Sequence, residues 1–319
     1  MSSRHVSLFG LLLLAACAPL PDDGESVSSA ANSPDLAPNG RRVGINNGHH
    51  AYGDNGSPTG TAAVGALNGN GITYHNGPVM LGQVHLYYVW YGNWSNNTAT
   101  TILTDLASNL GGSPYWNINT TYRNGAGAFI SNSLTYGGAT TDAYSRGTAL
   151  SDANIQAVVS DAITSGRLPS DANGIYLVLT SQDVTATSGF CTSYCGWHNH
   201  ATIGGVDIKY GFVGNAARCI SSCAAQTNGP NGNAGADGMA SIIAHEAEEA
   251  VTDPDLNAWY DSRGNENADK CAWTFGATST TSTGARFNMT LGGRPFLIQQ
   301  NWVNGPSGRA NGYCAKSYP

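Results

Sequence analysis

The sequence predicts an α/β fold: a mixed sheet packed by helices, followed by an irregular, disulfide-stapled C-terminal third. Three observations predict it. Apolar β-type runs alternate with helical patterns between Val79 and Val213. A long helical stretch runs from Gly238 toward Pro254 and carries a His and several Glu. Six cysteines, an even number, fall between Cys191 and Cys314.

The chain opens with a targeting segment. Arg4 and His5 form a short basic region, and Val6 to Ala16 is an apolar run too short to span a bilayer. It ends in Leu14-Ala15-Ala16-Cys17, a bacterial lipobox pattern. The expectation is a lipoprotein-type signal peptide over residues 1–17, cleaved before Cys17, with Cys17 acylated. An ordinary signal peptide with a chance Cys is the rival. Residues 18–70 are rich in Pro, Ser, Asn, Gly and Asp and read as a flexible tether. Residues 71–319 read as one domain. No later run is apolar enough to cross a membrane, so any membrane contact is expected only through an N-terminal lipid. Charged residues make up 11% of the chain and the net charge is −7, without a Lys/Arg cluster, which excludes a nucleic-acid footprint.

Val79 to Tyr91 reads as a strand buried on both faces at its end. Asn96 to Leu110 follows as a helix with Ile102, Leu103, Leu106 and Leu110 on one side. Ala126 to Tyr136 reads as a strand. Ser151-Asp152 caps a helix carrying Ile155, Val158, Val159 and Ile163. Ile175 to Thr180 and Val206 to Val213 are further strands, and Ala285–Leu291 and Phe296–Trp302 are strand-like.

The six cysteines after Cys17 fall as Cys191-x3-Cys195, Cys219-x3-Cys223, Cys271 and Cys314. In an oxidising compartment they read as three disulfides. The simplest pairing is Cys191–Cys195, Cys219–Cys223 and Cys271–Cys314. A four-Cys zinc site is the competing reading, disfavoured by export and by CxxxC spacing.

The sharpest chemical signal is Gly238-Met-Ala-Ser-Ile-Ile-Ala-His-Glu-Ala-Glu-Glu-Ala-Val-Thr-Asp-Pro254. Asp237 is placed to cap this helix, and Pro254 stops it. His245 and Glu249 stand four residues apart, one turn along one side. Glu246 sits beside His245. The pattern is that of HExxH metallohydrolases with Glu in place of the second His, and it predicts a zincin-like active-site helix. Glu266 is the expected third ligand and Asp269 the group that orients His245 from behind, as in the NExxxD-type stretch of thermolysin-like enzymes. Asp253 is the rival third ligand. Glu246 is expected as general base, and His198, in a loop pinned by an expected disulfide, as an oxyanion donor or further ligand. Two carboxylates on the ion make the site harder than a two-His site, so zinc is expected, with manganese, iron or calcium admitted more readily. A bland alternative makes the same helix a solvated acidic face. Trp90, Tyr91, Trp94 and Trp116 invite a sugar-stacking reading, although such rings more often pack the core.

Several segments together resemble the EXORDIUM, or phosphate-induced protein, family. They are Gly71-Ile-Thr-Tyr-His-Asn-Gly-Pro78, Val89-Trp-Tyr-Gly92, Val178-Leu-Thr-Ser-Gln-Asp183, Gly189-Phe-Cys-Thr-Ser-Tyr-Cys-Gly-Trp-His198, Gly235-Ala-Asp-Gly-Met239 and Val251-Thr-Asp-Pro254. The resemblance implies an extracellular protein. It implies no chemistry, because this sequence departs from the plant pattern at His245, Glu246 and Glu249. The expectation is an exported zinc-dependent peptidase of peptide or protein substrates. The alternative is a non-catalytic binding protein, for cell-wall glycan, with a structural ion. A third reading is a secreted domain without metal.

Overall fold

A computed structural model describes residues 43–44, 71–305 and 312–319. The signal peptide, the lipidation site Cys17 and nearly all of the tether lie outside the described residues. The central sheet has six strands: β1 (Val43–Gly44), β2 (Val84–Tyr91), β3 (Leu134–Asp142), β4 (Gly174–Thr180), β5 (Tyr194–Ile203) and β6 (Val206–Val213). Their spatial order is β1-β5-β6-β4-β2-β3. Strands β3, β2, β4 and β6 pair in parallel, while β5 runs antiparallel to β6 and β1 antiparallel to β5. The sheet is therefore mixed, as expected.

The pattern of each strand follows its place. All seven residues of β4 are buried, and in β2 only His85 is partly exposed. Central parallel strands are covered on both faces, so they carry apolar runs. The edge strand β3 alternates instead, with Thr135, Gly137, Ala139 and Thr141 outward. It begins at Leu134, eight residues later than Ala126, where a strand was expected. Residues 124–128 instead form a turn closed by the Asn124 carboxamide.

Three helices cover the sheet: α1 (Ala99–Leu110), α2 (Asp152–Thr164) and α3 (Ala234–Thr252). Helix α1 buries Ile102, Leu103, Leu106 and Leu110, and packs against α3. Helix α2 opens with a reciprocal box in which Ser151 and Asn154 each cap the other's backbone. It packs across β2, β4, β5 and β6. Helix α3 is capped by Asn233, whose side chain accepts from the Ala236 amide. Asp237, expected in that role, lies in the first turn and accepts from Asn231 instead. Among the described residues, no helix is long and apolar enough to cross a membrane.

The C-terminal third consists of short hairpins, the last formed by β7 (Asn301–Val303) and β8 (Tyr313–Ala315). They fold over α3, from Gly235 to its end at Thr252, and every one of those residues is buried.

Two expected disulfides are corrected. The bonds are Cys191–Cys219, Cys195–Cys223 and Cys271–Cys314. Only the last matches. Cys219 and Cys223 flank a single helical turn, Ile220–Cys223. Side chains one turn apart point side by side at a neighbour, not at each other. The neighbour is the start of β5, where Cys191 and Cys195 have the same spacing. Two parallel bonds thus staple that turn to the strand, next to α3.

Candidate metal centre

Helix α3 and strand β5 bring the chemistry together. His245, Glu246 and Glu249 project from α3, and all are at most 1% exposed. This overturns the alternative of a solvated acidic face. His198 was read in the sequence as a loop residue. It lies instead on β5, 2% exposed. Side chains alternate along a strand, so Gly196 and His198 share one face. That face looks at α3: a Cβ at Gly196 would stand 2.5 Å from Ile242 and 3.0 Å from Glu246 Oε1. Glycine is needed there for the close approach of strand and helix. We expect Gly196→Ala to lower the melting temperature by about 2–12 °C, since overpacking costs about 1–3 kcal/mol. Thermal unfolding followed by circular dichroism measures it.

His198 sits among carboxylates at distances longer than hydrogen bonds. Its Nδ1 lies 3.5 Å from Glu246 Oε2 and 3.6 Å from Glu249 Oε2, and its Nε2 lies 3.6 Å from Glu266 Oε1. Donor atoms held at about 2.0–2.2 Å around one cation stand roughly 3.0–3.6 Å apart, depending on coordination geometry. On the other side of Glu249, its Oε1 lies 2.9 Å from His245 Nε2 and accepts from the Asp269 amide at 3.0 Å. Asp269 Oδ1 is 3.6 Å from His245 Nε2. The expected ligands are thus divided between two groups that share Glu249. One is His198, Glu246 and Glu249, with Glu266 beyond His198; the other is His245, Glu249 and Asp269. Asp269 lies near His245, and its backbone amide donates to Glu249. Asp253, the rival ligand, ends the helix and accepts from the Ala258 amide at 2.5 Å. It belongs to neither group.

The donors fit a cation. Both ring nitrogens of His198, Nδ1 of His245, both oxygens of Glu246, and Glu249 Oε2 are buried without a hydrogen-bond partner, while His245 Nε2 is 2.9 Å from Glu249 Oε1. Burying unpartnered charge costs several kcal/mol per ion, and a divalent cation removes that cost. Burial raises the Glu246 carboxyl to about 7, with the Glu249 charge adding to the rise. Burial also pushes Glu249 up, but the charge of His245 and contacts from His198 and His245 outweigh it and hold Glu249 at about 2. Burial disfavours the charged forms of His198 and His245. The surrounding carboxylates, Glu266 first for His198 and Glu249 first for His245, raise both imidazoles well above their ordinary value.

Two neighbours escaped the sequence reading. Glu248 is fully buried, and its carboxylate accepts from the Asn301 amide on β7. Burial raises it well above the carboxylate range. The hydroxyl of Tyr115 is buried without a partner, and burial and the charges of Glu248 and Glu249 raise its pKa. Glu248 stands within the motif of α3 itself, but its partner Asn301 comes from 53 residues downstream, and Tyr115 reaches the centre only through long-range packing, so the sequence marks neither role. A separate cluster, His200 with Asp207 and Asp255, already holds a cation, since Lys209 Nζ lies 2.8 Å from Asp255 and also pairs with Asp207.

Comparison with known proteins places the chain. The phosphate-induced protein 1 conserved region matches residues 72–307. The chain belongs to that family. It is 33% identical to Protein EXORDIUM-like 5 of Arabidopsis thaliana, over 72% of this chain and 75% of the relative. It is 32% identical to Protein EXORDIUM-like 3 of the same plant, over 72% and 80%. Protein PHOSPHATE-INDUCED 1 of Nicotiana tabacum is 25% identical over 75% and 87%. No solved structure matches the chain. Membership in the phosphate-induced protein family, together with three disulfides, is consistent with export.

Proposed function

We propose that this protein is an exported metal-dependent hydrolase, anchored through Cys17 and acting on peptide bonds from a zincin-like helix. The observation that carries the reading is the convergence of unpartnered, buried nitrogen and carboxylate donors from α3 and β5. Imidazole with carboxylate suits zinc. His198 and Glu249 face the cation position directly, with Glu266 behind His198 and His245 steadying Glu249 from the far side. When bound, the cation polarises a substrate carbonyl and makes water easier to deprotonate. Glu246 is the proton acceptor. Its carboxylate lies 3.5 Å from His198 with both oxygens unpartnered, placed to take a proton from water at the neighbouring position. Asp269 is the most solvent-exposed of these acids, with 13% of its side chain exposed.

One observation favours a second reading, a purely structural ion. His198, Glu246, Glu249 and Glu266 are at most 2% exposed, and structural sites are closed. Elemental analysis of the purified full chain, with hydrolysis of a mixed peptide library, separates the two. We expect a divalent cation and hydrolysis that stops on chelation. A tightly held cation with an inert protein leaves the structural reading; a protein that takes up no divalent cation ends both.

A further inference from the structure

We infer that a cleft at the end of the molecule built by β7 and β8 binds a neutral oligosaccharide. The inference does not depend on the hydrolytic reading. The cleft has a volume of about 970 Å³, at the upper end for ligand sites. Among the described residues, the two large hydrophobic side chains left exposed are Phe129 at 57% and Tyr313 at 50%, and both line it. Such rings on a rim, held in place from behind, are suited to stacking on the apolar faces of sugar rings.

The cleft is preorganised. Trp259 forms part of its floor, with its indole N–H donating to the Arg123 carbonyl at 2.8 Å. The Tyr74 hydroxyl donates to the Gly77 carbonyl and accepts from the Gly125 amide, which holds a second floor ring. Phe129 bridges in antiparallel fashion to Arg123, and Tyr313 pairs with Val303 in the terminal hairpin. The two rim rings therefore stand on paired backbone, not on free loops.

The lining chemistry selects the occupant. Among the described residues that line the cleft, in a chain of net charge −7, none is Asp or Glu. Among those residues Arg123 is the ionic side chain, and its guanidinium lies 5.9 Å from the Phe129 ring centre. The rest of the polar lining is amide and hydroxyl. Asn304 is 5% exposed, and its Oδ1 is buried without a hydrogen-bond partner. Tyr74, Thr120, Thr121 and the Asn124 oxygen are already bonded to backbone and hold the lining in shape, so the exposed rings carry recognition. A neutral sugar chain supplies both ring faces and hydroxyls. Strand β7 ties the cleft to the metal centre: Asn301 donates to Glu248, while Val303 and Asn304 line the cleft.

Isothermal titration of the full chain with cellohexaose, xylohexaose and chitohexaose tests this, with oligogalacturonate and an unrelated extended peptide as comparators. At least one neutral hexasaccharide is expected to bind with a dissociation constant below about 1 mM. Phe129→Ala and Tyr313→Ala are each expected to weaken it by at least about fivefold. Both side chains are exposed, so the variants should unfold at the wild-type temperature, and this is checked in parallel. Absence of binding to all three neutral sugars, binding of the comparators alone, or unchanged affinity in both variants overturns the inference.

Discussion

Glu246→Gln is expected to lower peptide hydrolysis by at least about 100-fold while the cation stays bound. The substitution keeps the shape of the side chain and removes its ability to take a proton. Glu246 faces His198 from Oε2 at 3.5 Å and approaches the Gly196 backbone from Oε1. It is fully buried, and burial is the first cause of its high pKa. A neutral amide sits there without the desolvation cost of a charge, so stability is expected to hold or rise. Glu249→Gln is the contrasting variant. Glu249 lies between the two groups of donors and is held ionised by its histidines, so its loss is expected to release the cation as well as activity. Metal content and peptidase rate, measured on the same preparations, separate the roles. If Glu246→Gln loses the cation, Glu246 is a ligand; if it remains fully active, the base lies elsewhere.

The fold was legible where burial writes a pattern. The strands at 174–180 and 206–213 and the helices at 99–110 and 152–164 stand out as apolar runs or stripes. Strand β5 does not. Its sequence, YCGWHNHATI, mixes a glycine, two histidines and an asparagine, because one face looks into a polar centre and at Glu246. A strand that serves a site breaks the alternation by which strands are read. His198 was consequently taken for a loop residue although it sits at the middle of the cluster. The disulfides were misread for a related reason: sequence proximity favours Cys191–Cys195, whereas the strand and the helical turn place each pair side by side. Helix α3 was legible as an element and as a carrier of His245, Glu246 and Glu249. Its burial on all sides was not, since that depends on hairpins contributed from more than 30 residues downstream, such as Asn301 on Glu248.

Stripping the metal with a strong chelator is expected to lower the melting temperature by roughly 8–16 °C. Glu246, Glu249, Glu266 and Asp269 converge on two imidazoles, and most of these groups are shut away from water. Without a cation they must either remain charged and uncompensated or shift their protons, and both options favour the unfolded chain. A ligand that binds only the folded state stabilises by about 4 kcal/mol at a thousand times its dissociation constant. At about 2–4 °C per kcal/mol for a domain of this size, that gives the stated range. The backbone around the centre is not expected to come apart, because Cys191–Cys219 and Cys195–Cys223 clamp the start of β5 beside α3. The loss is thus a shift of one transition, seen by calorimetry with and without chelator, and reversed by adding metal back. Zinc restoring stability at lower concentration than calcium fits an imidazole-bearing centre; calcium restoring it first would mean that the carboxylates alone hold the ion and that His198 only fills space beside them. A melting temperature indifferent to chelator and to added metal would mean that the buried acids are neutralised by protons and the two histidines, with no cation in the folded protein.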